Sequence, residues 1–212
     1  KLIINPFLKF MNRFVNYYYI SSKTYFNNSE IKKYKEKKIF KYFSIKKPKI
    51  QNPKINIKFK KFVLFISRDS YYKGLSKLED LIEKNPKINF VCITDFNFSK
   101  DYPNLLKLEN VSNEYKYKLI KNCRSVISLS TSRAESFGMT LVEGLSFSKP
   151  LISFNLNSGV REIIKNNKNG FLINNFNIQK YSEKLNDIYF SNKNFNKFSK
   201  YKKNYYKIMK SN

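Results

Sequence analysis

Two short stretches carry residues whose types and spacing suit chemistry. The first is Arg68-Asp-Ser-Tyr-Tyr-Lys73-Gly74. The second runs from Ser132 to Glu143 and contains Glu135, Gly138, Met139 and Thr140. Arg is scarce in this chain, and so is Gly, with Gly74, Gly138, Gly144, Gly159 and Gly170 the only five. Arg68 and Lys73 offer two cations beside a glycine. If a helix starts near Phe137, the backbone amides of Gly138, Met139 and Thr140 are free and the helix dipole favours negative charge at that end. Gly138 permits close backbone approach. Two cations facing a helix N-terminus make an anion site of diphosphate size. Glu135 and Glu143, eight residues apart, have a different task. A carboxylate beside a phosphate site accepts hydrogen bonds from hydroxyls, as acidic residues do for ribose in dinucleotide folds. Two of them flanking a diphosphate could hold the two sugars of a nucleotide-sugar.

The elements that must position these stretches can be read from hydropathy. Phe62–Ser67 (FVLFIS) is a continuous apolar run and Ile88–Thr94 another buried strand, as expected of strands covered on both faces, and Ser125–Ser130 and Pro150–Phe154 are further strands. Leu105–Leu108 is a weaker strand and Gly170–Ile173 a short one. Between them lie helical patterns over Leu75–Lys84, Ser112–Asn122 (Ser112 as cap, Glu114 in the first turn), Phe137–Phe147 and Val160–Lys165. Helices over Ile178–Phe190 and Phe195–Met209 close the chain. Alternating strands and helices predict a Rossmann-like α/β domain, a parallel sheet with helices on both faces. Such sheets bind ligands outside the carboxyl ends of their strands, which is where both stretches fall. Upstream, residues 1–44 are aromatic and basic. They suggest a helix end over Pro6–Arg13, a strand over Val15–Ser21, a charged helix over Ser29–Lys38 and a short strand over Ile39–Phe43. The run KKPKIQNPKINIK after them has the prolines and lack of period of an inter-domain linker.

Taken in order, these blocks resemble the retaining glycosyltransferases of family four, which have the GT-B fold. The resemblance rests on R-x4-K-G (Arg68, Lys73, Gly74), on E-x7-E (Glu135 to Glu143) and on SGVREIIKNNKNGFLI, and covers about residues 61–175. The sequence departs from the family pattern at Ser67, Thr94, Asn110 and Ser148, where Gly is usual, at Thr131 for Pro and at Gly144 for Ala. The resemblance implies residues 1–58 as the remnant of an N-terminal acceptor domain plus linker, and 59–212 as the nucleotide-sugar-binding domain with a C-terminal crossing helix. It implies that Arg68 and Lys73 hold the donor diphosphate, assisted by the amides of Gly138, Met139 and Thr140. Glu143 would bind ribose hydroxyls, Leu108–Val111 would line the base pocket, and Glu135 would contact the transferred sugar. Arg68, Lys73 and Glu135 are then the catalytic candidates. The implied reaction moves a hexose from a nucleoside-diphosphate sugar to a hydroxyl of a glycan, polysaccharide or lipid with retention of configuration. No cofactor and no metal are expected.

The 212 residues (25.4 kDa) carry 42 Lys+Arg against 15 Asp+Glu, a formal net charge of +27. This allows peripheral contact with an anionic membrane and invites a nucleic-acid-binding alternative. Against the latter, the cations are nearly all Lys and are scattered along the whole chain, whereas specific phosphate and base readers favour Arg. The absence of His excludes His-based zinc sites and Ser-His-Asp catalysis within this sequence. Two cysteines cannot build a disulfide framework; Cys92 and Cys123 read as buried thiols in a reducing, cytoplasmic setting. Residue by residue, plainer roles compete. Most Lys are solvated surface, Glu135 could serve the following helix electrostatically, and Glu143 could be an ordinary helix Glu, although positions 139 and 147 offer it no cation. Arg161 and Glu162 suit a surface or interdomain pair better than catalysis. Other readings on the same fold are an epimerase, a phosphorylase or a sugar-nucleotide-binding protein without turnover.

Overall fold

The computed structural model describes residues 10, 14–40, 50 and 54–201. From residue 63 onward it is a six-stranded parallel sheet. Its strands are β3 (Val63–Ile66), β4 (Phe90–Ile93), β5 (Leu105–Leu108), β6 (Ser125–Ser128), β7 (Leu151–Phe154) and β8 (Gly170–Ile173), in the spatial order β5-β4-β3-β6-β7-β8. Strand polarity is parallel at every pairing, for example Leu64 beside Val91 on one side and Val126 on the other. The order reverses between β3 and β6, so the chain has its topological switch point there. A separate two-stranded parallel ribbon upstream pairs β1 (Tyr18–Ile20) with β2 (Lys38–Phe40).

The continuous apolar runs form strands because both sheet faces are covered. Successive side chains point to opposite faces. Val63 and Phe65 join Ile127, Ile152 and Phe154 under helices α2 (Leu75–Lys84) and α6 (Ile178–Phe190), which contribute Leu78, Leu81, Ile82, Tyr181, Leu185 and Ile188. Leu64, Val91, Val126 and Leu151 face the other way. They pack under α3 (Asn113–Asn122), α4 (Met139–Ser146) and α5 (Val160–Ile163), through Leu119, Ile120, Leu141, Val142, Val160 and Ile163. Each fully buried aliphatic or Phe side chain contributes roughly 1.5–3 kcal/mol, so the two-sided core fixes the register of every strand. No helix among the described residues is long and apolar enough to cross a membrane.

Leu75–Lys84, Leu105–Leu108, Gly170–Ile173 and Ile178–Phe190 lie where the sequence places them, and Ser112 caps α3 by accepting from the Tyr115 amide. Two upstream and downstream elements differ. Ser29–Lys38 is expected as an α-helix, but Glu30–Lys37 winds as a 3-10 helix. Its Lys-rich sequence places like charges four apart, at Lys33 and Lys37, which disfavours the α spacing. The closing helix α7 starts earlier than Phe195, at Asn192, because Ser191 caps it by accepting from Asn194 N, and it spans Asn192–Ser199. The helix end at Pro6–Arg13, most of the Pro-rich linker and the crossing part of the closing helix lie outside the described residues. Two positions where the sequence lacks an expected Gly are in the left-handed region, Asn110 at φ +50° and Ser148 at φ +57°. Asn tolerates that region by its short polar side chain. Ser148 follows the last turn of α4, where its amide donates to Leu145 O and that of Lys149 to Gly144 O.

Both thiols are buried, Cys92 in β4 and Cys123 just before β6. Burial pushes the Cys123 thiol up to about 12 and Cys92 higher still. In the unfolded chain both ionise near 9.0. Their folded pKa values are raised, so this contribution to stability is complete below pH 9 and is lost as the pH rises above it. A thiol reagent at pH 8 should therefore label neither cysteine in the native chain and both in denaturant. Rapid native labelling of either would contradict the packing described here.

Candidate functional site

Both chemistry-bearing stretches sit at the switch point. The loop after β3 carries Arg68 and Lys73, and the loop after β6 carries Glu135. The two are joined backbone to backbone, with Thr131 N donating to Tyr72 O at 2.8 Å. Gly74, the residue before α2, has φ +71°, and a Cβ there would lie 2.1 Å from Leu129 O. Only glycine permits this approach. Gly138 precedes α4 at φ +92° and turns the chain into the helix. The amides of Gly138, Met139 and Thr140 donate to no acceptor among the described residues, as the first amides of a helix should.

These elements enclose a cleft of about 370 Å³ lined by Ile66, Ser67, Arg68, Lys73, Ile93, Thr94, Asp95, Glu109, Asn110 and Thr140. It spans the carboxyl ends of β3, β4 and β5 and reaches the start of α4. A smaller recess beside it is lined by Lys73, Ser130, Glu135, Gly138 and Thr140 among others. Ile66, Ser67, Lys73 and Thr140 form the wall common to both. Arg68 is exposed, and its guanidinium makes no bond to a described residue. Lys73 Nζ lies 2.5 Å from Glu135 Oε2, which also accepts from Ser130 Oγ at 3.1 Å. The two side chains are only 21% and 15% exposed. The cation and the carboxylate that the sequence assigns to different parts of a ligand thus pair with one another.

Glu143 lies in α4, with Lys116 Nζ at 2.6 Å from its Oε1 and the Tyr117 hydroxyl at 3.5 Å. Its own helix offers no cation, as expected, but α3 does. Neither Glu143 nor Met139 lines the two cavities, and Met139 is 38% exposed. Of the predicted residues, the structure therefore brings together Arg68, Lys73, Glu135, Gly138 and Thr140, and sets Glu143 and Met139 along the following helix. Within the stretch Leu108–Val111, Glu109 and Asn110 reach the cleft. Thr94 and Asp95 were not picked out as site residues. Asp95 Oδ1 accepts from Asp69 N at 2.5 Å and ties the β4 loop to the β3 loop. Their position just beyond the apolar run of β4 was the available signal. Arg161 and Glu162 do not pair with each other. Arg161 Nε donates to Asn155 Oδ1 at 2.7 Å, and Glu162 reaches residues 22–24.

The Lys73–Glu135 pair can be tested without any ligand. Removing one partner leaves the other partly buried and uncompensated, at a cost of roughly 1–3 kcal/mol. Lys73→Ala should therefore destabilise the chain in urea unfolding by about that amount, and adding Glu135→Gln should restore part of the loss. Strictly additive effects in this double-mutant cycle would show that the two groups do not interact.

With this geometry in place, comparison with known proteins is informative. Residues 46–205 match the family model described as glycosyl transferases group 1. The chain is 27% identical to the O-antigen chain mannosyltransferase C of Escherichia coli over 194 residues, covering 84% of this chain and 52% of that protein. The chain thus spans about half the length of that relative. Among solved structures, a variant of TarM from S. aureus, crystallised with fondaparinux, alpha-GlcNAc-glycerol and UDP, aligns with a TM-score of 0.67 at 18% identity, over 87% of this chain and 39% of that one. The C-terminal domain of a glycosyl transferase group 1 family protein from Francisella tularensis aligns with a TM-score of 0.55 at 19% identity, over 66% of this chain and 80% of that domain. The parallel sheet, its switch point and the family match over most of the sequence agree: this chain belongs to the group 1 glycosyltransferases and has their Rossmann-like α/β fold.

Proposed function

We propose that this chain is the donor-binding part of a retaining hexosyltransferase, taking a hexose from a nucleoside-diphosphate sugar to a hydroxyl of a glycan, polysaccharide or lipid. The observation that carries the reading is the convergence of Arg68, Lys73 and Thr140 on one cleft at the switch point, beside a recess where Lys73 and Thr140 also meet Gly138 and Glu135. That set offers a diphosphate two cations and the start of a helix. As the sugar–phosphate bond breaks, negative charge grows on the leaving diphosphate while the sugar becomes oxocarbenium-like. Arg68, Lys73 once drawn from Glu135, and the start of α4 would stabilise that charge. No resident cofactor or metal enters this reading. UDP, present in the TarM complex, is a reasonable first probe. Acceptors held at an anionic membrane surface would suit the net charge of +27.

The ion pair refines the roles. An incoming diphosphate must draw Lys73 from Glu135, which releases the Glu135 carboxylate to accept hydroxyls of the transferred sugar. Glu143 lines neither cavity and pairs with Lys116; its assignment to the ribose hydroxyls rests on the resemblance of the E-x7-E spacing. Lys73→Ala should weaken UDP binding roughly ten- to a hundredfold, the worth of one charge-assisted hydrogen bond, and leave uridine binding unchanged. Glu135→Gln should hold UDP as tightly as the wild type or more so, because Lys73 no longer has a competing anion, and should lose the extra affinity contributed by the sugar. Glu143→Gln should weaken uridine and UDP together. Lys184→Ala, on the far helix α6, serves as control. Calorimetric titration of these variants decides the matter. If Lys184→Ala weakens UDP as much as Lys73→Ala does, the binding is a diffuse field of a basic surface and the assignment fails.

A further inference from the structure

The loop that carries Glu135 is held from outside. Its own hydrogen bonds are all short-range turns: Glu135 N to Ser132 O, Ser136 N to Ala134 O, and Ala134 N to Ser132 Oγ. Its placement relative to the sheet comes from contacts outside those turns: Thr131 N to Tyr72 O, Glu135 to Lys73 and Ser130 Oγ, and the N-terminal segment. The N-terminal segment supplies two anchors. Arg133 donates to the backbone carbonyl of Asn28. Glu162 Oε1, on α5, accepts from Ser22 Oγ at 2.6 Å and from Thr24 N at 2.7 Å. Ser22 is fully buried there and also accepts from Tyr25 N, capping the short helix α1 (Lys23–Asn27).

Helix α5 is in turn locked to the Glu135 loop. Gly159 N donates to Ser136 O at 2.9 Å, and a Cβ on Gly159 would fall 2.7 Å from the Cα of Phe137. Whatever positions α5 positions residues 136–137. Residues 22–28 therefore grip the loop at both ends, through Arg133 before Glu135 and through Glu162 and Gly159 after it.

We propose that residues 22–28 act as a clamp that sets the position of Glu135, with Glu162 and Arg133 as positioning residues. The clamp rests on these contacts alone; its consequence for sugar binding rests on the role given to Glu135 above. The seat combines buried Ser22 and Phe26 of the segment with half-buried Glu162 and exposed Arg133. Movement of the N-terminal segment would then be transmitted to the carboxylate that meets the sugar.

Hydrogen exchange read by mass spectrometry tests the clamp on the whole 212-residue chain. Glu162→Ala and Arg133→Ala should each speed exchange across residues 131–138 about fivefold or more, at the low end of coupling between sites. Their double variant should gain less than the product of the two effects. Peptides covering β3 and β6 should keep their protection, which separates the effect from general destabilisation. Glu162→Gln keeps an acceptor oxygen and should retain most of the protection. If Glu162→Ala exposes the amides of Thr24 and Tyr25 while residues 131–138 exchange as before, the contact does not transmit and the clamp is wrong. The ratio of UDP-hexose to UDP affinity is measured in the same variants. A faster-exchanging loop with a lowered ratio supports both the clamp and the role of Glu135. A faster-exchanging loop with an unaltered ratio supports the clamp and overturns the role given to Glu135.

Discussion

The close approach of two strand-to-helix loops at the switch point governs the rest of the site. Gly74 lies against the carbonyl of Leu129 at a distance no side chain would allow, and Tyr72 accepts from the amide of Thr131 one step further out. Because β3 and β6 are neighbours whose connections leave in opposite directions, a crevice lies between them and the two loops form its walls. The apolar core below, packed on both sheet faces, keeps the strand ends from shifting. A rigid base with polar, close-set loops is how this architecture holds charged groups near one another without burying them.

The charge arrangement at that base is economical. Lys73 is partly buried, and without an anion it would bear a desolvation cost. Glu135 supplies that anion from the loop after β6. In the function proposed above, a ligand diphosphate would take its place and leave the carboxylate as a hydrogen-bond acceptor. Glu143 has a permanent partner in Lys116 from a neighbouring helix. The two glutamates are alike in sequence yet differ in what holds them: one partner belongs to the cleft wall and the other to a helix packed behind it.

Elsewhere the structure shows how the chain accommodates residues that do not match the family pattern. Asn110 and Ser148 occupy left-handed backbone where Gly would be free of strain. Such conformations cost of order 1 kcal/mol or more in a non-glycine residue, and at Ser148 the hydrogen bonds that close α4 offset part of it. Gly144 sits where a Cβ would come within 2.9 Å of side-chain methyls of both Leu151 and Val126. These particular neighbours leave no room for the usual Ala unless they shift, so the departure at 144 is matched by the bulk around it.

What the sequence by itself determined is what depends on local pattern. Apolar runs with buried neighbours became strands, helical spacing of Leu and Ile became α2 and α6, and the order of R-x4-K-G and E-x7-E placed both loops at the carboxyl edge. Those features follow from how each segment meets water and its own backbone, and a segment carries that information within itself. The pairing of Lys73 with Glu135, 62 residues apart, and of Glu162 with Ser22, 140 apart, could not be read this way. Each is decided by which polar groups the folded core leaves facing one another across a gap. Among so many lysines nothing local distinguishes Lys116 as the partner of Glu143, or α3 as the helix that delivers it. Only the packing of α3 beside α4 on one sheet face does that.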